Sequence, residues 1–474
     1  MKIRSLALPV SLVLASMTAA VVVACSSSDD SRAFDETEED AGHANLPDAS
    51  VGNDSSASDG ATVEQDAKAP FDPKDEAVTC PPSGPCAVQL VAGDNHFCTR
   101  MNDGSVRCWG DNSKGTLGTA DAGAAEGDAG IEILDGGADG GTVSGTGYVV
   151  SKVETLEGAT QISAGGTTTC ALVANGGVQC WGGNDKGQLG LQTTPAISDS
   201  NAHPTAAAVA LPSAAKRVDV GARSACAMLT NGETWCWGDN SQYELGRAQP
   251  TTMGGPDKAS LDGYTIERTA AGTNNTFGIT PEGKIISWGA VGTSGVLALR
   301  QSNLTKDYLP AEADIDPPVS SFAVASGSPG HACAIILGNV SCWGLSATGG
   351  LGTGSPERAP IPIAAPVANR TAWPQQVAAG GELTCVRLTD GTVQCTGTNA
   401  RGALGRITTE TAAWTFRPST EFGGHAVAVA VGKTSVCALV QNGSVVCWGG
   451  NDKGELGQGM TDKIPHPTPV SIAF

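Results

Sequence analysis

Short apolar and β-branched runs alternate with Asn-Gly and Gly-rich breaks along most of this chain. In CALVANGGVQCW (170–181) two such runs flank Asn175-Gly176, the strongest short-range signal for a β-hairpin. Asn102-Asp103-Gly104, Asn231-Gly232, Asp390-Gly391 and Asn442-Gly443 place the same turn between similar runs. A second break, Gly-x-Leu-Gly, recurs after most of the hairpins, as in Gly187-Gln188-Leu189-Gly190, and lets backbones pass closely. With Gly at 63 of 474 residues, the pattern argues for a turn-rich, all-β chain rather than a helix bundle or coiled coil.

The pattern is one unit written seven times, at 91–118, 163–190, 219–246, 270–298, 325–352, 378–405 and 430–457. The first-Cys position of the unit falls at 98, 170, 226, 277, 333, 385 and 437. A period of about 50 residues is too long for leucine-rich or ankyrin units and suits a four-stranded propeller blade. The expected fold is therefore a seven-bladed β-propeller spanning 80–474. Its last stretch, HPTPVSIAF (466–474), resembles the residues before each Ala-Gly, so it is expected to pair beside the first unit and close the ring. Length varies between each Leu-Gly and the next Ala-Gly, a point that should gather on one face. The longest case, 119–147, is rich in Asp, Gly and Ala and is expected to be a mobile insertion between blades.

Fifteen cysteines sharpen this picture. Cys170 and Cys180 lie across the Asn175-Gly176 turn, opposite each other on neighbouring strands, at a separation that a disulfide accepts. The same argument pairs Cys98 with Cys108, Cys226 with Cys236, Cys385 with Cys395 and Cys437 with Cys447. Cys333 and Cys342 are one residue closer, with the deletion placed in the turn. In the fourth unit Phe277 and Ser287 stand at both positions, the joint loss expected of a bonded pair. Cys80 and Cys86 form a seventh pair at the domain edge. Zinc would require four ligands in close pairs, and a ten-residue gap without nearby His does not supply them.

The remaining cysteine belongs to the leader. Lys2 and Arg4, an apolar run from Leu6 to Val23 and the ending Val22-Val23-Ala24-Cys25 are the marks of an export signal. The ending resembles a bacterial lipobox, which implies lipidation of Cys25 and assigns 1–25 to a lipoprotein signal peptide. Residues 26–79 hold fifteen acidic side chains against three basic ones, a net charge of −12 with few apolar residues, and are expected to be a disordered acidic tether. The expected location is a bacterial cell envelope, with a lipid anchor in the membrane at the outer membrane or cell surface.

Composition removes several functions. A net charge of −20 offers no basic face for a phosphate backbone, so nucleic acid is not an expected partner. Gly432-Lys433-Thr434 mimics the end of a phosphate loop, but Val427 stands where its first Gly is required, and the six His form no H-E-x-x-H arrangement. No catalytic residues, metal site or cofactor are assigned. Trp109, Trp181, Trp237, Trp288, Trp343 and Trp448 all follow the second Cys position and are expected to pack blades; Thr396 breaks the series. Trp235, Trp373 and Trp414 stand off the pattern and are the candidate binding residues.

The full unit, A-G-x(4)-C-A-L-x(3)-G-x-V-x-C-W-G-x-N-x-x-G-x-L-G, resembles the repeat of the regulator of chromosome condensation family. The resemblance covers 80–474 and implies a seven-bladed propeller. His96 and His331 match a His that the family often carries two residues before the position Cys takes here. Its best-known members are nuclear guanine-nucleotide exchange factors, an activity that an exported acidic chain is not expected to share. The implied function is a non-catalytic, envelope-anchored scaffold that binds a protein or a glycan through one loop-bearing face. The alternatives are an inhibitor of a secreted or periplasmic hydrolase, since the family includes a secreted β-lactamase inhibitor, and a glycan-binding propeller.

Overall fold

Seven four-stranded antiparallel sheets, each made from one uninterrupted stretch of chain, build the protein. The computed structural model describes residues 76–119, 149–191, 197–248, 251–291, 304–313, 315, 317–327, 330–355, 358–368 and 371–474. The signal segment with Cys25 and most of the tether lie outside them. Blade 1 comprises β1 (Ala87–Ala92), β2 (His96–Met101), β3 (Val106–Gly110) and β4 (Ser151–Lys152), and blade 2 comprises β5 (Ala159–Gly165), β6 (Thr168–Val173), β7 (Val178–Asn184) and β8 (Asp199–Ala208). Blade 3 holds β9 (Ala215–Val220), β10 (Ser224–Leu229), β11 (Thr234–Asp239) and β12 (Met253–Lys258). Blade 4 holds β13 (Arg268–Ala271), β14 (Asn275–Ile279), β15 (Ile285–Ala290) and β16 (Lys306–Glu312). Blade 5 runs through β17 (Val319–Val324), β18 (His331–Ile336), β19 (Asn339–Gly344) and β20 (Ala359–Ala364). Blade 6 runs through β21 (Pro374–Gly380), β22 (Leu383–Leu388), β23 (Val393–Thr398) and β24 (Ala412–Pro418). Blade 7 ends the series with β25 (Ala426–Val431), β26 (Ser435–Val440), β27 (Val445–Asn451) and β28 (Asp462–Ser471).

The first strands of successive blades touch one another in a closed cycle, β25 meeting β1, so they surround the axis. They are too far apart to share a ladder, and side chains stitch them instead. Gln89 accepts from Ile162 N and donates to its carbonyl, Gln161 does the same with Val218, and Gln376 with Val429, all at 2.7–3.1 Å. An amide side chain thus copies the donor–acceptor pair of a missing strand neighbour.

The repeated Trp and the repeated Gly-x-Leu-Gly are two halves of one joint. Trp181 Nε1 donates to the Thr116 carbonyl of the previous blade, Trp237 to Gln188, Trp288 to Glu244 and Trp448 to Ala403, at 2.7–3.0 Å. The last Gly of the motif gives the ring its room: at Gly405, which sits at φ +63°, a Cβ would come within 2.9 Å of the Trp448 indole. Blade 6 has Thr396 where the others have Trp, and it divides the work. Its hydroxyl donates to the Gly349 carbonyl, while Phe416 fills the space against Gly352.

The same joint closes the ring, which corrects the expected strand exchange. Trp109 of blade 1 donates to the Glu455 carbonyl of blade 7 at 2.9 Å, and Phe474 packs on its ring. β28 pairs with β27 in its own blade, not with blade 1. Its residues DKIPHPTPVS correspond to DSNAHPTAAA of β8, an outermost strand, and not to the innermost strand that precedes Ala-Gly. Blade 1 supplies its own fourth strand, β4. Glu76 and Thr79, assigned by sequence to the tether, are held on blade 7 by His425 and Gln441.

All seven cystines form, and six join directly opposed residues of the second and third strands. In blade 4 Phe277 lies opposite Ser287 in the same register and packs its ring on Phe322 at 5.2 Å. The short spacing of Cys333 and Cys342 is absorbed in a two-residue turn, Leu337-Gly338, between the paired Ile336 and Asn339.

The outermost strands carry nine prolines, among them Pro360 and Pro362 in β20 and Pro465, Pro467 and Pro469 in β28; the second and third strands carry none. Proline lacks an amide donor, so these rims are poor templates for a further strand.

Candidate interaction surfaces

Antiparallel order gives the ring two unlike faces. One, the hairpin face, carries the turns between second and third strands and the links between blades, which are 6 to 9 residues long. The other, the loop face, carries the turns between first and second strands and the connections from third to fourth strand, which range from 10 to 40 residues. Variation does gather on one face, as expected. The expected 119–147 insertion falls in chain order between β3 and β4, which pair in blade 1, and residues 120–148 lie outside those described.

On the loop face the axis is capped. Lys433 of blade 7 forms an ion pair with Asp94 of blade 1 at 2.7 Å, and Ser326 of blade 5 reaches Asp94 Oδ1 from across the ring at 2.6 Å. Backbones of neighbouring blades also pass closely there: a Cβ on Gly165 would stand 2.4 Å from the Gly221 carbonyl. This close approach is why Ala-Gly ends the first strand.

The titratable groups near these joints serve the fold. His96 Nε2 meets Thr169 Oγ1 of the next blade at 2.8 Å, and His331 meets Thr384 at 2.6 Å. Burial lowers both imidazoles to about 4, against the nearby Asp94 and Asp111 for His96 and Glu382 for His331, so both are neutral at pH 7. The Asp-Asn pairs are turn-formers: Asp239 Oδ1 accepts from Ser241 N and Asn240 Oδ1 from Leu245 N.

Two buried carboxyls escaped the sequence reading. In blade 2, Gln188 Oε1 accepts from Lys186 N at 2.7 Å. Glu244 and Glu455 replace it in blades 3 and 7 and accept from Gln242 N and Lys453 N. Burial raises both to about 7, with Asp239 adding to the effect at Glu244 and Asp452 and Asp111 at Glu455. The alignment of a Gln with two Glu at one repeat position was the available signal.

The three off-pattern Trp do not converge. Trp235 lies in β11 at the hairpin face, with its Nε1 donating to Glu233, itself paired with Lys258. Trp373 precedes β21 on the same face, where its backbone pairs with Thr389. Trp414 lies in β24 toward the loop face, beside Gly354 of the blade 5 connection.

The aromatic cluster that does form was not singled out. The first Gly of Gly-x-Leu-Gly has φ between +76° and +89° at Gly115, Gly187, Gly349, Gly402 and Gly454, whereas blade 3 has Tyr243 there, at φ +69°. Its ring meets Tyr308 of β16 edge-on at 5.9 Å, and the Lys306 ammonium lies 4.6 Å from its centroid. Two of the chain's four tyrosines therefore meet, half-exposed, at the loop-face rim. Tyr243→Gly should change stability by less than about 1 kcal/mol in chemical denaturation, because relief of the left-handed backbone offsets the lost ring contact. A loss of several kcal/mol would make Tyr243 a core residue.

The channel mouth on the hairpin face holds a cavity of about 540 Å³ between blades 3, 4 and 5, lined by Arg217, Arg268, Ile279, Pro281, Val319 and Leu337 among others. Among the described residues no group of three or more His, Cys, Asp or Glu is placed to hold a metal.

A family model, the Regulator of chromosome condensation (RCC1) repeat, matches residues 87–116, 159–188, 215–244 and 426–455, which fall in blades 1, 2, 3 and 7. The chain is 30% identical over 208 residues to the RCC1 domain-containing protein RUG3, mitochondrial, of Arabidopsis thaliana, covering 43% of this chain and 46% of that protein. It is 25% identical over 313 residues to the human E3 ubiquitin-protein ligase HERC2, covering 66% of this chain and 6% of HERC2. The chain thus spans less than half the length of either relative. Among solved structures, yeast RCC1 (Prp20), determined with Kap60, superposes with a TM-score of 0.63 at 18% identity, over 81% of this chain and 85% of that one. Human WBSCR16 superposes at 0.57 and 18% identity, over 72% and 84%. Four of the seven blades thus match the RCC1 repeat, the other three are built on the same plan, and the chain shares its seven-bladed propeller fold with RCC1.

Proposed function

We propose that this propeller is a non-catalytic protein-binding scaffold, tethered to a cell envelope through lipidated Cys25, and that it engages its partner with the loop face around blades 3 and 4. Tyr243 carries the reading. A bulky ring occupies a backbone conformation that five other blades give to Gly, and it does so beside Tyr308 and Lys306. Backbone strain of this kind persists where a side chain is needed for something other than folding. Tyrosine is also enriched among the residues that dominate protein interfaces. Support from relatives is at the level of class: Prp20 was solved with Kap60, and its binding to Gsp1p and histones has been described.

A photo-cross-linking residue placed at Tyr308 should yield adducts in cells, and one at Asn231 or Asn442 on the hairpin face should not. Adducts from the hairpin face alone, or none from Tyr308, would sink the surface assignment. In the same cells a Cys25→Ser chain should leave the membrane fraction; retention there would refute the anchor.

A further inference from the structure

We propose that the loop-face surface around Tyr243 takes an acidic segment of a partner protein, whose carboxylates meet Lys186, Arg223 and Lys306 and whose aromatic side chain meets Tyr243 and Tyr308. The inference rests on the loop-face reading above and names the chemistry of the partner. Three observations converge on it.

The first is geometric. Three successive blades each send one cation to the turn that carries Tyr243. Lys186 of blade 2 stands 3.7 Å from Asp239 Oδ2, and Arg223 of blade 3 stands 3.9 Å from the same oxygen. Asp239 Oδ1 accepts from Ser241 N, and the Ser241 carbonyl accepts from Lys306 Nζ of blade 4 at 2.8 Å. The Lys306 ammonium also lies over the Tyr243 ring, which meets Tyr308 edge-on. Three cations and two tyrosines are thus linked through the few residues from Asp239 to Tyr243.

The second is the charge balance. One buried carboxylate, Asp239, serves both Lys186 and Arg223, at distances too long for a hydrogen bond. Ion pairs of this kind contribute little, and both cationic side chains stay half-exposed. Glu244, in the same turn, is raised to about 7 by burial, with Asp239 adding to the effect, so it carries only part of a charge at neutral pH. The group therefore keeps a net positive charge on a chain whose total is −20.

The third is the composition of the connections from third to fourth strand. In blades 2, 3 and 4 these are residues 185–198, 240–252 and 291–305, and their only acidic residues are Asp185 and Glu244. Asp185 is paired with Lys114 of blade 1 at 3.2 Å. The corresponding connection of blade 1, 111–150, holds seven acidic residues. An acidic partner segment is repelled by most of such a chain and attracted at this group, which fixes where it docks, while the tyrosine rings supply the apolar contact. Three cations on an acidic chain are too few to hold a phosphate backbone, which favours a protein segment.

Fluorescence anisotropy of the full chain with labelled Glu-Glu-Phe-Glu-Glu and with labelled Gln-Gln-Phe-Gln-Gln tests this. The acidic peptide should bind about tenfold more tightly, and the preference should shrink as salt is added. Lys186→Gln with Arg223→Gln should remove the preference, and the charge-keeping pair Lys186→Arg with Arg223→Lys should retain it. Lys306→Gln leaves both cations on Asp239 and should weaken the preference severalfold, which keeps the test decisive if the double variant does not fold. Lys152→Gln with Lys463→Gln, the same charge change on blades 1 and 7, should have no effect. Equal binding of the two peptides to the wild type would overturn the inference. So would a preference untouched by Lys186→Gln with Arg223→Gln and by Lys306→Gln, or one lost equally in the blade 1 and 7 variant. The in-cell adducts at Tyr308 keep the two readings apart. If they persist in the Lys186→Gln, Arg223→Gln chain, the loop face stands and the acidic partner does not. If the wild type forms none while the peptide preference holds, the acid-binding group stands and the scaffold assignment falls.

Discussion

Raising the pH from 5 to 8 should weaken the ring, and replacing Glu244 and Glu455 with Gln should remove most of that loss. Burial keeps both carboxyls protonated in the folded chain up to about 7, whereas the ordinary value is 4.5. The folded state thus holds protons that the unfolded chain has released. The stabilisation is complete below about 4.5, declines as the pH climbs and is lost above about 7. Each site accounts for up to about 3 kcal/mol over that window. Gln188 shows that an amide fits the same turn with the same backbone bond. Urea unfolding of the wild type and of the Glu244→Gln, Glu455→Gln double variant at both pH values reads the effect. The variant should match the wild type at pH 5 and exceed it at pH 8. An equal decline in both proteins would show that other groups carry it.

The second large effect belongs to the cystines. Each cross-strand bond closes a loop of about ten residues and contributes on the order of 2–3 kcal/mol in the loop-entropy account, so Cys170→Ala with Cys180→Ala should cost about that much. Six such bonds exceed the net stability of an ordinary domain, and a chain with all of them blocked should not refold. Reduction, however, must first gain access. The sulfurs of the six pairs are buried between blades, while Cys80 lies partly exposed. In native conditions dithiothreitol followed by alkylation and mass spectrometry should label Cys80 and Cys86 first. The other twelve should react only when denaturant opens the blades. Simultaneous labelling of all fourteen would mean that the blades open freely at neutral pH.

The hairpins, the seven blades and every cystine were legible in the sequence because each is specified within about 50 residues by strong local signals. A Gly-rich turn and two cysteines ten apart leave one geometry. The ring closure was misread because the final strand was compared with the wrong strand of the unit. The match between DKIPHPTPVS and DSNAHPTAAA becomes decisive only once β8 is known to be outermost. Departures from the repeat need the structure to be weighed. Tyr243 looks like ordinary drift until its φ and its aromatic neighbour are known. The off-pattern Trp residues show the converse. Trp235 stood off the pattern as a candidate binding residue, and in three dimensions its indole is hydrogen-bonded to Glu233.

Because no blade borrows a strand from another, the order of assembly can follow the order of synthesis. A chain emerging N-terminus first can complete blade 1, with its sheet and its cystine, before blade 2 has appeared, and each later blade can dock on a finished neighbour. Contacts that form early are then local in sequence, the condition for fast folding and for little exposure of unpaired edges. One long-range event remains. Glu455 must present its carbonyl to Trp109, 346 residues earlier, and until it does the first blade keeps an apolar flank uncovered. Arrested or truncated chains should therefore be collections of intact blades with an uncovered apolar flank at each end, and those two flanks are where a chaperone would have to act.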